Sequence, residues 1–365
     1  MYVLRISLVL GTLEPGAIFS GVSNLKRISS FCFVILFTQT FAFNTGGLAF
    51  AATAAKTYLS SYNRPKDVPF PKDNAHSNAR EDLGRTLFFD PRLSGSDWIS
   101  CATCHNPGLS WGDGLAKGIG HGMKPLGRRT PTILNLAWGE LMFWDGRADS
   151  LEAQALGPVE STGEMNLPLD QMLGKLEAMP SYRPLFDKAY PGEGISKATI
   201  SKSIATFERT VVSGDAPFDR WVRGDEKAVS ANAKRGFMLF NEKALCSKCH
   251  SGWRFTDDSF HDIGVAGDDI GRGKIMPDIA VLQYAFKTPT LRDVDRRAPY
   301  MHDGSEKTLG EVVDFYDRGG KQRRPAVSEH VKPLQLTSEE KADLVAFLKT
   351  LTSQDKPVVV PVLPR

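Results

Sequence analysis

Leu309, Val312, Val313 and Tyr316 stand at i, i+3, i+4 and i+7, the spacing that gathers apolar side chains on one face of a helix. Thr308 and Glu311 start that helix as a capping-box pair, and Gly319 and Gly320 stop it. The same grammar predicts the last helix, with Thr337 and Glu340 as the cap and Leu344, Phe347, Leu348 and Leu351 as the apolar face. Between Gly and Pro punctuation the other segments keep a helical period, and strand signals are scarce. The expected fold class is mainly α.

The N-terminus has a different pattern. Lys26 and Arg27 precede the apolar run ISSFCFVILFTQTFAF and then LAFAATAAK, which offers small residues for cleavage after Ala51 or Ala54. Ser, Thr and Gln interrupt the run, which falls short of the roughly 20 apolar residues of a spanning helix. Residues 1–54 therefore read as a cleaved export signal, with a retained anchor as the alternative. The stretch before Lys26 is long for a signal, as a start codon assigned too far upstream would make it. Phe31 before Cys32 fits a lipid attachment site poorly.

Composition narrows the class without naming a function. The 365 residues are 41% hydrophobic, 10% aromatic and 24% charged, a globular balance that excludes disordered, collagen-like and coiled-coil chains. The net charge of +3 falls to about +1 without residues 1–54, so nothing points to nucleic acid.

The cysteines carry the chemistry. Four of the five lie in CATCH (101–105) and CSKCH (246–250). Two thiols at this spacing can bond the vinyl groups of a haem, and the adjoining His then becomes the proximal iron ligand. A zinc ribbon needs its second pair within about 15–20 residues, and a thioredoxin-like pair has no use for a His after the second Cys. With seven His in the chain, finding one there twice is telling. Cys101, Cys104, His105 and Cys246, Cys249, His250 are thus expected to hold two covalent c-type haems, which bacteria attach outside the cytoplasm.

The halves repeat beyond these motifs. Gly84-x-x-Leu87-Phe88 and Gly236-x-x-Leu239-Phe240 lie upstream. Downstream, Thr130-Pro131-Thr132 and Trp144-Asp145-Gly146 match Thr288-Pro289-Thr290 and His302-Asp303-Gly304 at identical spacing. In this register Pro158 pairs with Tyr316. On pattern alone Tyr316 reads first as a core tyrosine. Pro158 has no side-chain donor, so one haem can be capped where the other keeps an open face for a small oxidant.

Over essentially its whole mature length the chain resembles the bacterial dihaem cytochrome c peroxidase and MauG family. The resemblance rests on LFFDPRLSGSDWISCATCH, RRTPTILN, FWDGRADSLEAQALGP, Glu164-Met165, FHDIGV, KTPTLRDV and APYMHDG. It implies a peroxide-reacting haem in the N-terminal module, an electron-transfer haem in the C-terminal one, and Trp144 between them; without it, Trp144 is a core aromatic. Tyr316 occupies the position of the second haem's distal ligand, Met in peroxidases and Tyr in the MauG branch. A phenolate is a hard anion that favours ferric and higher states, so this haem should be hard to reduce. Glu164 matches a distal carboxylate that moves a proton during O–O cleavage; without the motif it is a surface residue. His121 lies where the peroxidase branch keeps a detachable distal ligand on the first haem; the readings are iron ligand, acid/base, or solvated loop His.

Two departures stand out. Family members usually place an Asn before the Pro-Thr step to help bind calcium between the haems. Here Arg129 stands there, with Arg297 and Pro299 at the matching backbone sites, and two guanidinium groups argue against a dication. MauG also has a surface Trp two residues before its second CxxCH, where this chain has Ala244; Trp253 is the candidate exit for electrons instead.

The reading is an exported, periplasmic dihaem peroxidase of two cytochrome c-like modules, 55–220 and 221–365, acting on hydrogen peroxide. Glu164, His121 and Trp144 would serve catalysis, and His105, His250, Tyr316 and His121 would ligate iron. A small c-type cytochrome or cupredoxin would donate electrons, and the peroxidase branch would suit a homodimer. The alternatives are a MauG-like enzyme that oxidises a partner protein, and a dihaem electron carrier.

Overall fold

The computed structural model describes residues 57–354 and 357–365. The export-signal reading of residues 1–54 falls outside them. In chain order the helices are α1 (Asn78–Phe89), α2 (Cys101–Cys104), α3 (Leu151–Ala155), α4 (Gly157–Glu160), α5 (Leu169–Glu177), α6 (Arg183–Ala189), α7 (Lys197–Thr210), α8 (Pro217–Val222), α9 (Ala231–Asn241), α10 (Leu309–Asp317) and α11 (Ser338–Lys349). Strands β1 (Phe260–His261) and β2 (Phe286–Lys287) pair antiparallel, Phe260 opposite Lys287. Among the described residues no helix is long and apolar enough to cross a membrane.

The expected helix ends are present. At α11, the Glu340 N–H donates to Thr337 Oγ1 at 3.2 Å and the Thr337 N–H to Glu340 Oε2 at 2.8 Å. At α10, Thr308 accepts from the Glu311 N–H at 3.1 Å, but the Glu311 carboxylate takes the Lys307 N–H at 2.6 Å rather than that of the cap itself. Gly319 and Gly320 stop α10 at φ of 75° and 85°, a region that favours glycine. Leu344, Phe347, Leu348 and Leu351 are all buried.

Among the described residues two large apolar cores form, beside a small cluster of Met142, Ala148, Leu151 and Ala205. One is built from residues between Leu83 and Val211, including Leu87, Phe88, Tyr182 and Phe207. The other takes Leu59, Tyr62 and residues between Phe218 and Leu351, including Phe237, Phe240, Phe255 and Phe347. Each is organised by one close helix crossing. A Cβ at Gly84 on α1 would lie 1.9 Å from the Ser203 carbonyl oxygen on α7; one at Gly236 on α9 would lie 1.9 Å from the Asp343 carbonyl oxygen on α11. Phe207 and Phe347 occupy matching places, their own Cβ atoms 3.0 and 2.9 Å from where the glycine Cβ would stand. The repeated glycine is therefore a packing requirement.

The repeat extends beyond the matched motifs. Asn135 and Asp293 are both left-handed, at φ of 62° and 56°. The Asn135 N–H donates to the Val211 carbonyl at 2.9 Å, and the Asn135 side chain takes the Ser213 N–H at 3.0 Å. The Asp293 N–H donates to the Leu351 carbonyl at 3.1 Å, and its carboxylate takes the Ser353 N–H at 2.6 Å. Each pair ties the loop after the Thr-Pro-Thr step to the end of the closing helix.

Replacing glycine by alanine inside a helix ordinarily stabilises by up to about 1 kcal/mol. At Gly84 and Gly236 the sign should reverse, with Gly84→Ala or Gly236→Ala losing about 1–3 kcal/mol to overpacking. Gly174→Ala on α5, where an added Cβ meets nothing within 4 Å, should show the ordinary gain. Denaturant unfolding of the haem-loaded variants checks all three.

Candidate functional site: a paired haem cavity

Both Cys-x-x-Cys-His segments coil tightly enough to bring their two thiols and the His to one wall. In the first, Ser100 and Thr103 cap α2 and the His105 N–H closes the turn onto the Cys101 carbonyl at 2.9 Å. In the second, Cys246–Lys248 forms a 3₁₀ turn, closed by the His250 N–H on the Cys246 carbonyl at 2.8 Å. His105 Nδ1 lies 3.3 Å from the Trp111 carbonyl and His250 Nδ1 lies 2.8 Å from the Phe255 carbonyl. A carbonyl only accepts, so Nδ1 carries the proton in both rings and Nε2 keeps its lone pair. Burial pulls both imidazoles below their usual range and so favours the neutral, ligating form.

These residues line one continuous cavity of about 800 Å³. Cys101, Cys104 and His105 stand in its wall together with Cys246, Cys249, His250 and Tyr316. The thiols form no disulfide. Burial pushes the Cys104 thiol up to about 11 and that of Cys246 to about 12, so neither is a reactive thiolate near neutral pH.

The two repeat-related positions, Pro158 and Tyr316, present different groups to the cavity. Pro158 lines the cavity, and its carbonyl takes the Met165 N–H at 3.1 Å. Tyr316 lines it from α10, and among the described residues its hydroxyl makes no hydrogen bond. Burial pushes the phenol far up, and the nearby Cys246 and Cys249 add to the shift. Such a phenol ionises only against a cation.

Glu164 also lines the cavity. His121 does not. Its N–H donates to the Gly163 carbonyl at 3.0 Å, and a Cβ at the preceding Gly120 would lie 1.9 Å from that same oxygen. The loop is thus clamped to the backbone next to Glu164, and bringing His121 to the first haem would require breaking the clamp. Its Nδ1 is buried without a partner.

Trp144 stands in the cavity wall and fastens its halves together. Its indole N–H donates to the Arg129 carbonyl at 2.8 Å, its carbonyl takes the Lys287 N–H at 2.8 Å, and its ring meets His302 edge-on at 6.4 Å. The Arg129 N–H in turn donates to the His302 carbonyl at 2.8 Å.

Arg129 and Arg297 reveal what the cavity is built to receive. The Arg129 guanidinium donates to the Arg297 carbonyl at 2.5 Å, and that of Arg297 to the Thr290 carbonyl at 2.5 Å. Each Nε is buried without a partner, and neither cation forms an ion pair with a carboxylate among the described residues. Burial pulls both guanidiniums down, Arg297 to about 10. Unpaired buried cations facing a cavity call for an anion, and a haem brings two propionates. The donor set therefore fits c-type haem.

The comparisons agree with this reading. The family model for di-haem cytochrome c peroxidase matches residues 78–227, and that for cytochrome c matches 233–352. The methylamine utilization protein MauG of Methylorubrum extorquens is 53% identical over 306 residues, covering 83% of this chain and 86% of its own. This chain belongs to the dihaem cytochrome c peroxidase and MauG family. Cytochrome-c peroxidase IdrP1 of a Pseudomonas species is 37% identical, covering 79% of this chain and 84% of its own. The crystal structure of a MauG-like protein associated with microbial copper homeostasis aligns with a TM-score of 0.74 at 32% identity, covering 80% of this chain and 95% of its own. The mainly α fold of two cytochrome c-like modules is that of the family, and its cytochrome c domains imply c-type haem.

The FHDIGV stretch contributes a further cavity residue that sequence reasoning leaves without a role. His261 lines the cavity and its Nε2 lies 2.8 Å from the Asp257 carboxylate, four residues earlier in the chain. Asp257 chiefly, and then Cys249, raise His261 to about 10. Once Cys249 is a haem thioether it carries no charge, and the carboxylate alone holds the imidazolium. A raised pKa means stabilisation that is complete below the unfolded value, about 6.5, and lost as pH rises through the folded value. His261→Gln in the haem-loaded protein should therefore lose about 1 kcal/mol at pH 6 and far less at pH 10, as read from unfolding at the two pH values.

Proposed function

We propose that this protein is an exported dihaem enzyme that spends the oxidising power of hydrogen peroxide on a partner protein, in the manner of the MauG branch. The observation that carries the reading is Tyr316, a half-buried phenol lining the cavity beside Cys246 and Cys249, its hydroxyl without a hydrogen bond among the described residues. The haems would be bound covalently through Cys101 with Cys104 and Cys246 with Cys249. His105 and His250 would be axial ligands, Tyr316 a second ligand at the C-terminal haem, and Arg129 and Arg297 partners for propionates. In this reading residues 1–54 direct export to the periplasm, 55–220 form the peroxide module and 221–365 the electron-transfer module.

When bound, the haem irons accept and release the electrons of the reaction. The chain's own part is to shape where peroxide enters and how protons move. Pro158 lines the cavity without a side-chain donor and would leave the first haem a face free for peroxide. Glu164 stands beside it and would carry a proton from the inner to the outer peroxide oxygen as the O–O bond breaks. Overall, hydrogen peroxide takes two electrons and two protons and leaves as two waters, and the partner protein loses the two electrons. Trp144, hydrogen-bonded across both halves, would be the bridge between the two sites.

The electron exit is less well served by Trp253. The guanidinium carbons of Arg64 and Arg292 lie 5.2 and 5.9 Å from its ring centre, and a cation over an indole opposes removal of an electron from it. Trp138 meets the same ring edge-on at 4.8 Å and, in this reading, is the better outlet. This reading assigns calcium no role, a choice supported by the Arg129 guanidinium donating to the Arg297 carbonyl. The names of the MauG relatives make a protein of methylamine utilization the natural class of partner.

The second reading is a peroxidase activated by reduction and fed by a small c-type cytochrome or cupredoxin. It is favoured by His121, whose unpartnered Nδ1 lies on the loop clamped beside Glu164. One equivalent of hydrogen peroxide added to the fully oxidised, two-haem protein separates the readings. An immediate, long-lived change in the visible and near-infrared spectra is the MauG-like outcome; inertness until one electron is supplied is the peroxidase outcome and would overturn the first reading. Persistent inertness in both states would indicate a carrier. Tyr316→Phe should change the spectrum of one haem and raise its midpoint potential, as redox titration would register, because an anionic ligand to ferric iron is removed.

A further inference from the structure

Glu208 lies on α7 and lines the cavity, yet the peroxide chemistry above does not use it. It is 5% exposed, and its Oε2 is buried without a hydrogen-bond partner. The neighbouring Arg209 is turned to α3, where it holds Glu152 in a two-point ion pair at 2.6 and 2.8 Å. Glu152 also takes the Asn74 amide at 2.6 Å. From α1, the Arg85 guanidinium lies over the Phe207 ring at 5.9 Å. Glu208 itself forms no ion pair among the described residues, and Cys101 is one of its electrostatic neighbours. Burial pushes its carboxyl up to about 8, with Arg209 pulling it down and Glu152 raising it slightly.

The repeat gives this carboxyl its meaning. Counting five residues on from each helix crossing, Ser203 leads to Glu208 and Asp343 leads to Leu348. Both positions line the cavity. One scaffold position therefore carries an ionisable group beside the first Cys-x-x-Cys-His motif and a leucine beside the second. An unpaired buried carboxyl is a burden that the second module does without, so its presence in the first calls for a reason.

We propose that Glu208 is a proton site coupled to the oxidation state of the first haem, with no counterpart at the second. The inference rests on the reading that Cys101, Cys104 and His105 hold that haem. When the haem loses an electron the local charge rises by one, and Glu208 releases its proton to solvent. When an electron returns, the carboxyl takes a proton back. Each one-electron step then leaves the net charge of this apolar pocket unchanged. Because the reduced haem carries less positive charge, Glu208 holds its proton to higher pH in the reduced state, and the midpoint potential falls as pH rises between the two values. The other charged groups around it are Glu152, Arg209 and Arg85, together with Glu164 of the cavity wall, which also acts electrostatically on Cys101.

The test is a redox titration of the haem-loaded, full-length protein between about pH 6 and pH 9, preceded by a haem count. A count below two would overturn the haem reading itself and the inference with it. With two haems present, the haem not shifted by Tyr316→Phe should lose potential with rising pH. The limit is a tenfold change per pH unit, 59 mV for one electron. Glu208→Gln, which keeps the shape and cannot titrate, should abolish the slope. It should also remove the carbonyl stretch of a protonated carboxylic acid from the infrared redox difference spectrum. Glu208→Leu, the residue found at 348, serves as a second variant should Gln disturb folding, and Glu164→Gln should leave both signals in place. A flat wild-type profile, a slope that survives both Glu208 variants, or a slope lost in Glu164→Gln would overturn the proposal.

Discussion

Arg129 and Arg297 are buried, cross-linked to backbone carbonyls and left without a carboxylate, and a protein core cannot hold two such cations beside a large void on its own. His105, His250 and Pro158 line the cavity, and the carboxylates that share its wall, Glu164 and Glu208 among them, form no ion pair with either guanidinium among the described residues. A planar, mostly apolar group that ends in two carboxylates solves both problems. Its ring would fill the space between the apolar faces of the helices, and Arg129 and Arg297 would hold its acid edge. Haem would in this sense complete each core. The close crossings at Gly84 and Gly236 hold the helices in the arrangement that leaves room for it.

That dependence explains why the repeat is so exact in some places and so free in others. The glycine crossing, the Thr-Pro-Thr step, the carbonyl behind each His Nδ1 and the left-handed residue tied to the end of the closing helix recur because each fixes backbone around the same cofactor. Side chains that project into the cavity are free to differ. Pro158 and Tyr316 differ in whether they can ligate iron. Trp144 and His302 meet edge-on, and Glu208 and Leu348 differ in whether they can carry a proton. The scaffold repeats where it must hold a haem and diverges where the two haems must behave differently.

The sequence made one part of this legible and hid another. CxxCH is a local pattern whose geometry follows from five residues, so both motifs could be read with their chemistry. The caps of α10 and α11 are equally local, whereas Tyr316 drew notice once the halves were aligned and its role, like that of Trp144, was read from the family resemblance. Glu208 escaped because a glutamate inside a helical segment reads as a solvated face, and only the α1–α7 crossing turns that face inward. Asp257 and His261 escaped for a related reason: they stand four apart in a segment that is not helical, and their pairing depends on the turn before β1. His121 was legible as a residue of interest, but its position depends on the clamp between Gly120 and Gly163, which joins segments distant in the chain.

Trp144 is where these threads meet, and its bonding limits how independent the two haems can be. Its indole N–H is held by the Arg129 carbonyl, the Arg129 N–H by the His302 carbonyl, and the Trp144 carbonyl by the Lys287 N–H of β2. The Arg129 side chain reaches on to the Arg297 carbonyl. Any rotation of one module against the other would break this chain of bonds in a buried place, where unpaired groups are expensive. The two haem sites are therefore tied together through the same residues that would carry an electron between them. In the proposed reading, functional differences between the haems would come from ligands and charges within each pocket. Tyr316 on one side and the pair Glu164 and Glu208 on the other are the groups positioned to supply them.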